Sequence, residues 1–141
     1  MMIEGTLLYC DPFVFKNGAA PKPKYFIVLA NTDDGVMLAS LPTSKDHVPA
    51  DAEVVRGAVN IPERGVNAYV FEAGDQVTDT YCFPRRTFVY GEQVDDYTEE
   101  DLNTMGSTIQ NLGVLKPELF ADLKACLKQA SNIKRKYVKW L

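Results

Sequence analysis

"KYFIVLANTDDGVMLAS", residues 24–40, decides the fold. Two apolar runs rich in β-branched and aromatic residues flank Asn31-Thr32-Asp33-Asp34-Gly35, a hairpin connection of the common short type with Gly35 available for a positive φ. Working outward, "GTLLYC" (5–10), "NAYVFE" (67–72), "DTYCF" (79–83) and "RTFVY" (86–90) have the same character. Gly, Pro, Asn and Asp separate them, so each reads as a strand. "PFVFKNGAAPKPK" (12–24) is too punctuated for regular structure and reads as a long loop between the first two strands.

After Tyr90 the pattern changes to helix. Thr98 followed by Asp101 matches a capping box. Leu102, Met105, Ile109 and Leu112 then recur at helical spacing until Gly113. Pro117 suits the first turn of a second helix, whose apolar stripe runs through Leu119, Leu123, Leu127, Ala130, Ile133 and Tyr137 to Trp140, with an interruption near Asn132. Short strands followed by two helices, without β-α-β alternation, point to one domain over residues 1–141. The expected architecture is mainly β: a small antiparallel barrel over residues 1–90, capped by a helical part over 98–141.

Composition narrows the function. The chain has 141 residues, 46% hydrophobic and 24% charged, enough to bury a core without staples. No apolar run approaches the ~18 residues that span a bilayer, and Glu4 stands where a signal peptide would be positive, so a cytoplasmic protein is expected. Cys10, Cys82 and Cys126 lie far apart and read as small buried hydrophobes rather than zinc ligands or a redox pair. One histidine, His47, does not build a His-rich metal site, and glycine-rich phosphate loops are missing, so neither metal nor cofactor is expected. A net charge of −4 argues against a protein that coats nucleic acid indiscriminately. The charge is uneven, however: residues 87–115 carry six acids and no bases, whereas residues 116–141 carry seven bases against two acids. That cationic tail suits a solvated helix face, the acidic stretch before it, or a polyanion.

"LPTSKDH" (41–47) follows the third strand and gathers a proline, two hydroxyls, a lysine, an aspartate and the histidine. With the basic residue opening "PKPKYFIVL", the late "PRRTF" and the closing "LGVLKPELFADLKACL", this order of elements resembles the MazF/PemK family of toxin–antitoxin growth inhibitors over most of residues 3–130. The resemblance implies an SH3-like barrel with a C-terminal helix, a homodimer, endoribonuclease activity on single-stranded RNA without a metal, and inhibition by a cognate antitoxin protein. It assigns the catalytic site to Lys24, where the family has an arginine, and to Thr43 and Ser44 of the Pro-x-Thr/Ser pattern. Tyr25 replaces the family's proline, and Arg86-Thr87-Phe88 opens the late motif without its acid.

The chemistry can be stated independently. Cleavage through the 2′-hydroxyl needs a proton acceptor, a donor to the leaving oxygen, and positive charge at the phosphorane. Lys24 supplies the charge, Thr43 or Ser44 orients a phosphate oxygen, and His47 exchanges a proton near neutrality. Lys22, Arg85 and Arg86 are candidate RNA-binding residues. Each has a plainer reading: Thr43 and Ser44 as turn residues, His47 as an exposed bystander, the lysines as solvated strand residues, and the arginines paired with Asp79 or Glu72. Tyr9, Tyr81 and Phe83 suit stacking on bases or core packing, the latter favoured. Two further readings stand beside the nuclease: a non-catalytic barrel that binds a protein, and a nucleic-acid anchor in the basic C-terminal helix.

Overall fold

A computed structural model describes residues 2–13, 18, 20–41, 57–61, 66–105 and 108–141. Its centre is the expected hairpin. Strands β2 (Lys22–Asn31) and β3 (Gly35–Leu41) pair antiparallel from Asn31↔Val36 to Tyr25↔Leu41, and the Thr32 N–H closes the turn onto the Gly35 carbonyl at 2.9 Å. β1 (Thr6–Phe13) lies antiparallel along the other side of β2, with Leu7 opposite Ile27. Strand alternation sends Leu7, Ile27, Met37, Ala39 and Leu41 to one face of this sheet, and Leu8, Cys10, Phe26, Leu38 and Val36 to the other. Both faces are buried, which explains why these strands read as nearly continuous apolar runs.

Two strands flank the three. β7 (Val94–Thr98) adds to β3 and β8 (Ile109–Val114) adds to β1, giving a five-stranded order β7-β3-β2-β1-β8. A second sheet orders β4 (Gly57–Ile61), β5 (Val66–Phe71) and β6 (Thr87–Tyr90) sequentially. Every pairing is antiparallel, so the fold is mainly β. The expected single closed barrel is not what the described strands form: β4 pairs with β5 rather than with β3, and β7 and β8 end the larger sheet at open edges. The principal core lies where Tyr69, Phe71 and Val89 of the smaller sheet meet the larger one. Leu123 and Leu127 of α2 (Pro117–Gln129) and Tyr137 of α3 (Arg135–Val138) complete it.

Four further expectations are corrected. The helix expected through Leu112 stops at Met105: α1 covers Glu99–Met105, and Ile109 and Leu112 belong to β8. Its capping box is present, with the Thr98 N–H on Asp101 Oδ2 at 3.0 Å and the Asp101 N–H on Thr98 Oγ1 at 3.2 Å. "DTYCF" forms an isolated Gln76↔Cys82 bridge rather than a strand, because Thr78 and Thr80 hydrogen-bond locally and to the Leu112 carbonyl. Gly35 does not adopt a positive φ; a Cβ there would collide with the Tyr97 carbonyl oxygen, so close approach of β7 is what demands glycine. Cys82 is exposed, while Cys10 is buried and Cys126 partly so.

Candidate functional site

Lys24 sits on β2 next to Tyr25, and the two point to opposite faces. Tyr25 joins the principal core, so Lys24 shares the other face with Phe26 and Val28. There it lines a cleft of about 210 Å³. Phe13, Phe26 and Tyr97 form the aromatic side of this cleft, with Phe26 edge-on to Phe13 at 5.0 Å and to Tyr97 at 6.0 Å between centroids. Ser40, Glu92, Gln93, Asp95 and Lys134 supply the polar side with Lys24. The short 3-10 turn Gly91–Gln93 brings Gln93 over β3, where Ser40 Oγ donates to Gln93 Oε1 at 3.2 Å and lies 3.4 Å from its carbonyl oxygen.

Hydrogen bonds from α3 order one wall. Tyr137, whose ring is buried in the principal core, extends its hydroxyl to β7. That oxygen accepts the Asp96 N–H at 3.2 Å and lies 2.6 Å from Asp96 Oδ1 and 2.9 Å from Asp95 Oδ1. The tyrosine hydrogen bond holds the Asp96 carboxyl below the usual carboxylate range, helped by Lys136 at 3.9 Å. Burial pushes the Tyr137 hydroxyl above the ordinary tyrosine value, and the two carboxylates add to the shift. Burial likewise raises Tyr97 to about 12, with Asp95 and Asp101 contributing.

Lys22 lies two residues before Lys24 on the same face of β2 and outside this cleft. Arg85 and Arg86 also lie elsewhere, on the turn entering β6 of the smaller sheet. Arg86 grips Glu72 through a fork, Nε to Oε1 at 2.7 Å and Nη2 to Oε2 at 3.2 Å, one of the two pairings its plainer reading named. Arg85 is exposed, and its carbonyl accepts the Thr87 hydroxyl at 2.9 Å. Thr43, Ser44 and His47 lie outside the described residues.

The aromatic candidates fall on the core side of the larger sheet. Phe83 is 1% exposed and packs on Tyr25 and Phe71, and the Tyr25 and Tyr81 hydroxyls share a hydrogen bond of 2.7 Å. Tyr9 stacks obliquely on Tyr25 at 4.8 Å.

The cleft's second cation, Lys134, was visible in sequence only as one member of a basic tail. Its place beside Lys24 follows from β7 pairing with β3 and from α3 docking on β7, two long-range facts with no local signature. Chemically, the cleft combines two ammonium groups, two carboxylates, an amide and a hydroxyl over aromatic carbon. Such a set suits a polar ligand carrying an anionic group, while Phe26 and Phe13, both buried, back the cleft from beneath. No family model matches this chain, and no curated protein matches it significantly.

Proposed function

We propose that this chain is a MazF/PemK-like protein of the SH3-like barrel type, capped by its C-terminal helices, that acts in the cytoplasm as an endoribonuclease on single-stranded RNA. The observation that carries the reading is Lys24: the residue matching the family's basic position lines a cleft with aromatic and polar sides rather than standing on an open strand. Two antiparallel sheets around a common core also suit a barrel opened along its edges. In this reading Lys24 stabilises the phosphorane, Thr43 and Ser44 position the scissile phosphate, and His47 transfers a proton. Lys22, Arg85 and Arg86 guide the backbone, and a homodimer and an antitoxin partner come with the family.

The test is cleavage of varied single-stranded RNAs by purified protein in chelator over a range of pH. Cleavage with 2′,3′-cyclic phosphate ends is expected, falling by about 10²–10³-fold in Lys24→Ala. Intact RNA throughout, or activity indifferent to both Lys24→Ala and Thr43→Ala, rejects the enzyme.

One observation favours a second reading, a non-catalytic module that binds a protein. Glu92 and Asp95 face the same cleft as Lys24 and Lys134, a balance of charge better suited to a zwitterionic peptide surface than to a bare polyanion. Growth arrest on expression that Lys24→Ala relieves supports the nuclease. Harmless expression with stoichiometric capture of a defined peptide supports the module.

A further inference from the structure

The basic tail and the Lys24 cleft meet at Lys134. Lys134 is the residue before α3, and it is exposed except where its ammonium lies 6.0 Å over the Tyr137 ring. Among the described residues it makes no ion pair, whereas Lys136 faces Asp96 and Lys124 faces Glu4. It lines the cleft with Lys24, from the opposite end of the chain. Its backbone is set by the next turn, because the Tyr137 N–H donates to the Lys134 carbonyl at 3.0 Å and the Tyr137 hydroxyl is tied to Asp95 and Asp96. The hydrogen bonds that hold α3 to the edge of the sheet therefore also hold Lys134 at the cleft.

We propose that Lys134 is a second phosphate-contacting residue of the RNA site, and that Tyr137 is its positioning residue. The inference rests on the reading of the cleft as an RNA site. Two ammonium groups on one cleft suit successive phosphates of a single strand, which a lone Lys24 does not orient, since an ammonium is a point charge without a planar fork. Glu92 and Asp95 also face this cleft, so the two ammonium groups act against two carboxylates; the Tyr137 hydroxyl gives the Asp95 carboxylate a hydrogen-bonding neighbour, which moderates its repulsion of a phosphate. Seating of the C-terminal segment thereby becomes a condition for tight binding rather than a remote packing detail.

The experiment is binding of a labelled mixed-sequence single-stranded RNA to the full chain over a salt series. Each lost phosphate contact lowers the slope of log K against log salt by about 0.7 for a single strand. Lys134→Ala is expected to reduce the slope by one such step, as does Lys24→Ala, and Lys134→Arg to restore it. Tyr137→Phe is expected to reproduce the Lys134→Ala slope, and adding Lys134→Ala to Tyr137→Phe to change nothing further. A purely structural role for Tyr137 would lower thermal stability and leave the slope as it was. If the unaltered protein binds with a salt slope that Lys24→Ala lowers and Lys134→Ala does not, the inference is overturned while the RNA site stands. Absence of RNA binding by the unaltered protein overturns both.

Discussion

The Tyr137 hydroxyl joins the last short helix to the edge strand β7, accepting one N–H and facing two carboxylates. Tyr137→Phe keeps the buried ring and leaves the Asp96 N–H on Asp95 Oδ1 at 2.9 Å, but deletes the hydroxyl that faces the two carboxylates, a loss expected to cost about 1–2 kcal/mol, read as a lower urea midpoint with unchanged m. The same contact sets an acid sensitivity. Asp96 has a folded pKa below its unfolded one, so its contribution is complete above the ordinary carboxylate range and is lost as pH falls through the depressed value. The acid-side decline in stability of the unaltered protein is therefore expected to be steeper than that of Asp96→Asn, measured by midpoint against pH. Gly35 teaches a different lesson. The sequence singles it out for turn geometry, yet its requirement is the carbonyl of Tyr97, 62 residues away on β7, and Gly35→Ala is expected to cost about 1–3 kcal/mol through overpacking.

Elements whose logic is local were legible, and elements defined by a distant partner were not. β1, β2, β3, β5 and β6 each carry a run of β-branched and aromatic residues between turn residues, and each forms. The capping box also rests on two nearby side chains, so Thr98→Ala is expected to cost about 1 kcal/mol and to lower hydrogen-exchange protection of the Asp101 amide without disturbing the core. β8 misleads because Ile109 and Leu112 satisfy helical spacing, while Leu8↔Asn111 and Cys10↔Ile109 pairing with β1 makes the segment a strand. Gly113, at φ 108°, marks its irregular end against Thr78. β7 escapes notice because "VDDYT" is acidic; Asp95 and Asp96 belong to an edge strand, where charge protects against pairing with another sheet. The site divides the same way: Lys24 follows from strand alternation alone, but Lys134 requires the order β7-β3-β2 and the docking of α3.

The surface features that colour the functional reading contribute little to stability. The Arg86–Glu72 fork is partly exposed, with side chains 45% and 31% accessible, so Arg86→Ala is expected to cost no more than about 1 kcal/mol. What unites the molecule is the principal core, which draws residues from both sheets, from α2 and from α3 into one cluster. Such an arrangement predicts that the C-terminal segment does not melt ahead of the sheets, since exposing Leu123, Leu127 and Tyr137 would strip apolar cover from Phe71 and Val89. The chain offers a direct check, because its single tryptophan, Trp140, lies at the end of that segment and packs against the core, while far-ultraviolet dichroism follows the strands. Coincident denaturation curves from the two probes are expected. Leu123→Ala, at a fully buried position, is expected to move both curves together by about 2–5 kcal/mol. A tryptophan transition that precedes the loss of strand signal would mean that the C-terminal helices dock independently, and the cleft wall carrying Lys134 would then open at a cost well below that of unfolding.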